Sequence, residues 1–277
     1  MKRTFFGLVL LVLAVVLSAC GNSESEEKQA NSEGSSEEAT KSSDNLLEDI
    51  KANGELLIGT EGTYPPYTFH NEQDELTGFD VEIAREVAKR LGVEPVFKET
   101  KWDSMFAGLN SERFDMVANQ VGITPERQEK YSFSEPYIQS SAVIVTHKDN
   151  KSITSFKDLS GVKTAQSMTS NFAKIAKENG ADITSVEGFN ESMQLLSSKR
   201  VEATVNDRLS VLDFKQQRPD APVKIAARQD EASKSGLLFR QGNDELVEAV
   251  NQALNEMKED GTYMEISEKW FGEDVSK

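Results

Sequence analysis

Ser111-Glu112-Arg113-Phe114-Asp115-Met116-Val117-Ala118-Asn119 is echoed later in the chain by Ser198-Lys199-Arg200-Val201-Glu202-Ala203-Thr204-Val205-Asn206. Both stretches read Ser-x-Arg, an apolar residue, an acid, three strand-forming residues and Asn. Each follows a helical apolar pattern, at 105–110 and at 192–198, so each predicts a helix end and then a short buried strand. Outward from the first copy, Leu56-Leu57-Ile58 is a buried strand ending at Gly59-Thr60, and Val96-Phe97 is another. Between them Asp80 is expected to cap a helix reaching Leu91. That helix carries Ile83, Ala84, Val87 and Ala88 on one face and Gly92 as its stop. Outward from the second copy, strands are expected at 142–146, 162–165 and 183–186, with a helix at 172–177. Strands alternating with helices predict an α/β class with two similar lobes, each a mainly parallel sheet covered on both faces by helices. Beyond them follow a strand at 237–239, a helix at 244–260 stopped by Gly261, and a terminal helix that lays Trp270 and Phe271 on the first lobe.

Composition narrows the function. The 277 residues carry a formal net charge of −16, which opposes binding to a nucleic-acid backbone, a task that needs a basic face. No stretch of about 20 apolar residues is present to span a membrane. One Cys excludes a disulfide framework and a Cys-rich zinc site, and His70 and His147 sit in no metal-ligand spacing. The reading therefore calls for no metal, no cofactor and no nucleic acid.

The first residues form an address. Lys2 and Arg3 precede an apolar run at 5–17, followed by Leu17-Ser18-Ala19-Cys20, the pattern of an export signal occupying residues 1–19. Cys20 is either a chance thiol or, since Leu-Ser-Ala-Cys resembles a bacterial lipobox, the lipidated first residue of the mature chain. Acyl chains contribute about 0.8 kcal/mol per buried CH₂, enough in combination to hold a domain at a bilayer. Residues 21–45 contain seven Ser and six Glu and no aromatic residue, so residues 20–45 read as an anchor and a disordered tether with a reach of about 25–30 Å.

Open α/β sheets hold ligands beyond the carboxyl ends of their strands, and here those ends carry Glu61, Asn119 and Asn206-Asp207. Tyr64 and Tyr67, in Gly59-Thr60-Glu61-Gly62-Thr63-Tyr64-Pro65-Pro66-Tyr67, are either packed core or a ligand wall, and Trp102 opens a helix where it offers a second wall. Thr124 and Pro125 read as the N-cap and first residue of a helix that presents Arg127. Its planar fork suits a carboxylate at roughly 1.5–3 kcal/mol per charge-assisted bond. The alternative is a surface Arg paired with Glu126 or Glu129. Asp207 is either an acceptor for an ammonium or the cap of a helix at 209–215. Arg127 on one lobe and Asp207 on the other would together grip a zwitterion.

Several segments carry a family resemblance. Gly78-Phe79-Asp80-Val81-Glu82, Gly122-Ile123-Thr124-Pro125-Glu126-Arg127 and Met257-Lys258-Glu259-Asp260-Gly261-Thr262-Tyr263 resemble the polar amino-acid-binding proteins of bacterial ABC importers. Lys101-Trp102-Asp103-Ser104-Met105, Asn119-Gln120-Val121 and Lys269-Trp270-Phe271-Gly272-Glu273-Asp274-Val275 are most similar to the cystine-binding members. The resemblance implies a type II periplasmic-binding-protein-like clamp with hinge crossings near 137–141 and 233–236. Lobe 1 would comprise 46–138 plus 236–277, and lobe 2 would comprise 139–235. It further implies that Arg127 binds the ligand's α-carboxylate together with Gly122, Thr124, Met168 and Thr169. Asp207 would take the ammonium, helped by the Gly122 carbonyl and Glu61. Tyr64 and Trp102 would sandwich the side chain, and Asn119, Gln120 and Asn206 would face its polar end. Many relatives have Gly-Thr where this chain has Ser167-Met168.

The resemblance thus implies a monomeric receptor on the outer face of the bacterial membrane, lipid-anchored through Cys20. It would pass a polar amino acid, cystine above others, to an ABC permease and its ATPase without catalysis. The rival is a prephenate or arogenate dehydratase on the same fold, with Glu61 as the general acid. A sensor module is a third reading, disfavoured by the lack of a signalling segment after Lys277.

Overall fold

A computed structural model describes residues 45–277. The leader, Cys20 and the tether up to its last residue lie outside the described residues. Two five-stranded sheets form the frame. The first runs in the order Glu94–Glu99, Glu55–Thr60, Met116–Val117, Leu238–Arg240, Tyr131–Phe133. The second runs Asp182–Ser185, Lys163–Gln166, Ala203–Asp207, Ala142–His147, Val223–Arg228. Pairings are parallel except on either side of Leu238–Arg240 and of Ala142–His147. Each sheet is thus mainly parallel with one reversed strand. The reversed strands directly follow the two crossing segments, Ile138–Ser140 and Ser233–Ser235, which pair antiparallel with each other.

The nine-residue echo is a true structural repeat. Helices Trp102–Asn110 and Phe189–Ser197 both end in a turn whose second residue is left-handed, Glu112 and Lys199, each with φ 58°. In the first turn Glu112 N donates to Leu109 O and Arg113 N to Gly108 O, and in the second Lys199 N donates to Leu196 O and Arg200 N to Leu195 O. This pattern satisfies the last carbonyls of both helices. The acids match as well: Asp115 Oδ2 accepts from Leu57 N at 3.0 Å and Glu202 Oε2 from Lys163 N at 3.2 Å. Each acid ties its strand to the same place on the neighbouring one.

The core of the first lobe forms where the apolar face of helix Phe79–Leu91 meets the sheet, burying Ile83, Ala84, Val87 and Ala88. Burying each large aliphatic side chain contributes about 1.5–3 kcal/mol. Helix Thr262–Phe271 closes this lobe as expected, with Phe271 against Phe79 and Tyr67 and Trp270 edge-on to Phe69. One expectation is corrected. Asp80 is not the helix cap: the helix begins at Phe79 after Gly78, whose φ of 128° and close approach to the Tyr67 carbonyl leave no room for a Cβ. Asp80 turns inward instead, accepting from Tyr137 Oη at 2.9 Å and from Gln120 N, and burial pushes its carboxyl up to about 7. Elements beyond those anticipated are helix Leu46–Asn53, the 3-10 turn Phe156–Leu159, strands Tyr131–Phe133 and Val223–Arg228, and a small sheet of Thr63–Tyr64, Thr68–His70 and Leu76–Thr77.

Candidate functional site

The carboxyl ends of the two sheets face each other across a narrow cleft with a free volume of about 40 Å³. The first lobe lines it with Glu61, Tyr64, Trp102, Asn119 and Gln120, and the second with Gln166, Ser167, Ser170, Phe189 and Asn206 among others. The lobes touch around it. Tyr64 Oη donates to Asn206 Oδ1 at 2.9 Å, Asn190 Nδ2 donates to the Thr63 carbonyl, and Thr169 donates through N and Oγ1 to Asp103 Oδ1. Ion pairs Lys101–Glu187, Lys174–Glu126 and Arg208–Glu273 bridge the rim. Such exposed pairs add little each, so closure rests mainly on the inner contacts.

Local folding explains how the wall residues arrive. Strand Glu55–Thr60 delivers Glu61, whose backbone N donates to Asn119 Oδ1 at 2.7 Å while Asn119 Nδ2 donates to Glu61 Oε2 at 2.6 Å. That reciprocal pair fixes both side chains. Burial pushes the Glu61 carboxyl up to about 7, against the Asn119 bond, which lowers it. The small sheet holds Tyr64 at the cleft, where its ring meets Tyr67 and Phe189. Trp102 opens its helix as expected and is 7 % exposed.

Six of the twelve expected ligand residues share this cleft: Glu61, Tyr64, Trp102, Asn119, Gln120 and Asn206. Thr124, Arg127 and Thr169 instead line an adjoining cavity, which shares Ser170 and Asn171 with the cleft. Gly122 lines neither, but its carbonyl accepts from Arg127 Nη1 at 2.8 Å. Met168 lines neither and is 41 % exposed, because the Ser167–Ser170 turn directs it outward ahead of the helix.

Arg127 sits as the spacing predicts, in the single turn Pro125–Gln128 capped by Thr124. It does not pair with Glu126 or Glu129: Glu126 is taken by Lys174. Its guanidinium is half-buried over the rings of Trp102 and Phe106, donating only to the carbonyls of Gly122 and Thr169. Burial brings its pKa down to about 10. Among the described residues no carboxylate lies within ion-pair distance of it, Glu126 acting only at longer range, so it is a cation prepared for an anion.

Arg127 lines the adjoining cavity, whereas Asp207, expected opposite it, lines neither. Asp207 is 1 % exposed and caps helix Arg208–Gln217, accepting from Leu209 N and Ser210 N. It also accepts from Tyr67 Oη at 2.7 Å and Gln120 Nε2 at 3.3 Å, both from the other lobe. Its carboxylate is committed to these donors and lines neither of the two cavities above, so the acid that faces the cleft is Glu61. Gln166 was missed by sequence reasoning. The strand expected at 162–165 runs to Gln166, so the carboxyl-end rule applied one residue later identifies it.

A family model for bacterial extracellular solute-binding proteins, family 3, matches residues 56–273. The L-cystine-binding protein TcyA of Bacillus subtilis is 49 % identical over 278 residues, covering 100 % of both chains. Among solved structures, the L-cystine solute receptor of Neisseria gonorrhoeae in an unliganded open conformation is 50 % identical, with a TM-score of 0.57 over 84 % of this chain and 99 % of that one. An ancestral arginine-binding protein bound to arginine is 40 % identical, with a TM-score of 0.75 over 79 % and 98 %. Identity and shape rank these two in opposite orders, as expected when one has its lobes apart and the present lobes are in contact. The chain belongs to the bacterial extracellular solute-binding proteins, family 3.

Proposed function

We propose that this protein is a lipid-anchored, monomeric receptor that takes L-cystine into the interlobe cleft and delivers it to an ABC permease driven by its ATPase. The lobes, residues 46–138 plus 236–277 and residues 139–235, close over the ligand, and Cys20 carries the acyl chains on the outer face of the membrane. The reading is supported most by Arg127, a half-buried guanidinium with only carbonyl partners, beside a cleft of polar groups between aromatic walls. An α-carboxylate fits that guanidinium, with Thr124 and Thr169 in the same cavity. The ammonium faces Glu61 rather than Asp207, Tyr64 and Trp102 flank the disulfide, and Asn119, Gln120 and Asn206 meet the polar remainder. Asp207 acts as a clasp, drawing Tyr67 and Gln120 onto the second lobe.

The role is capture without turnover. The relatives named above are binding proteins, and nothing in the comparisons supports the dehydratase alternative. Isothermal titration of the purified protein against the common amino acids and cystine tests the assignment. Cystine is expected to bind most tightly, and a preference for another amino acid or the absence of any binding would refute it. Mass spectrometry of the mature chain checks the anchor through the acyl mass on Cys20, which a Cys20→Ala variant released into the medium would lack.

A further inference from the structure

Two buried donors in the cleft have no partner among the described residues: Gln166 Nε2 and Trp102 Nε1. Both side chains line the cleft, from opposite lobes, and Gln166 is 2 % exposed. Buried donors are nearly always bonded, so an orphaned pair in one cavity points to an acceptor that belongs there. The repeat sharpens the point. Ile58 pairs with Met116 as Thr164 pairs with Ala203, which places Thr60 and Gln166 at the same strand position in the two lobes. Thr60 Oγ1 is satisfied within its own lobe, by Thr68 Oγ1 at 2.6 Å and the Ala118 carbonyl at 2.9 Å. Gln166 is longer and reaches the cleft, where its Nε2 has no partner among the described residues. Of the other amides lining the cleft, Asn119 is held by Glu61, Asn206 accepts from Tyr64 and Gln120 donates to Asp207, while Asn171 lies beside them at the start of its helix. Helix Asn171–Glu178 also begins on this wall, adding the positive end of its dipole.

We propose that Gln166 and the indole N–H of Trp102 form a donor subsite for the second carboxylate of a two-ended ligand, and so distinguish a disulfide-linked amino-acid pair from a single amino acid. This deepens the cystine reading and rests on it. One end of the ligand is held at Arg127, and the other runs past the Trp102 ring that packs on this guanidinium to the indole N–H and, on the facing lobe, Gln166.

The test compares L-cystine with S-methylthio-L-cysteine, which keeps the disulfide and one zwitterionic end, by isothermal titration. The variants are Gln166→Met, which keeps the length and removes the amide, and Gln166→Leu, a shorter apolar replacement at the same position. Thermal melts identify folded variants, and either variant alone carries the test. Each is expected to weaken cystine binding about tenfold or more while leaving the one-ended ligand within about twofold. Cystine affinity unchanged in a folded variant, or both ligands weakened equally, overturns the donor subsite while leaving the receptor reading in place. A wild-type protein that binds neither ligand overturns both.

Discussion

The two lobes share a scaffold and differ in chemistry. Strand order, the single reversed strand, the left-handed residue at Glu112 and Lys199, and the acid-to-amide tie at Asp115 and Glu202 are duplicated. The groups set around the gap are not. The first lobe contributes the ionisable ones, Arg127 and Glu61, with Asp80 buried just behind Gln120. The second contributes neutral amides and hydroxyls, Gln166, Ser170, Asn171 and Asn206, and Asp207, the acid that ends its central strand, is spent on capping and clasping. A fold of this kind duplicates what sets strand register and leaves the strand ends free to diverge, because side chains past the last ladder bond carry no part of the sheet.

That contrast makes predictions that can break it. The largest effect belongs to Arg127→Ala, which should lower ligand affinity at least about a hundredfold by titration calorimetry. Its melting temperature should stay level or rise, since a half-buried charge with no acid partner is removed. Next is the pH dependence of the ligand-free protein. Asp80 has a folded pKa raised to about 7 from 3.8, so the folded state holds its proton more tightly than the unfolded chain. The resulting stability is present at low pH and is lost as pH rises through 7. Between pH 5 and 8 the Asp80 share of the loss should be about 2–3 kcal/mol, a fall of several degrees in melting temperature; Glu61, also raised to about 7, adds to it in the same window, so Asp80→Asn should reduce the slope without abolishing it.

Glu61 sharpens the comparison at the ligand itself. An ammonium beside it favours the charged carboxylate, so binding should release protons near pH 7 and weaken as pH falls below 7. Calorimetry in buffers of different ionisation enthalpy reads this directly. Glu61→Gln should cost about tenfold in affinity and abolish the proton release, whereas Gln166→Met should leave that release intact. The smallest effect tests the repeat. Glu112→Gly and Lys199→Gly each relieve a left-handed backbone and should stabilise by similar amounts, about 0.5–1 kcal/mol in denaturant melts, with binding unchanged.

Much of the fold was legible because apolar periodicity and the Ser-x-Arg echo act locally. The turn after each helix, the short strand and the closing Asn are all written within nine residues. Helix Leu46–Asn53 and the small sheet beside Tyr64 were not anticipated. Their segments are short, and only Ile50 of the helix is fully buried, so periodicity had little to report. The cleft was half legible. Glu61, Asn119 and Asn206 follow from the strand-end rule, and Gln166 obeys the same rule but was hidden by a boundary drawn one residue short. Asp80 and Asp207 show the limit: an acid near a helix start reads as a cap or a ligand group, and only the tertiary fold decides. Asp80 was buried by the glycine before it, while Asp207 was taken by Tyr67 and Gln120, residues distant in sequence.

The most direct test of the account is a crystal structure of the protein grown with L-cystine. The account predicts one cystine between the lobes, with one carboxylate on Arg127 and an ammonium facing Glu61. Cystine bound outside the cleft, or bound within it with no contact to Arg127, would contradict it.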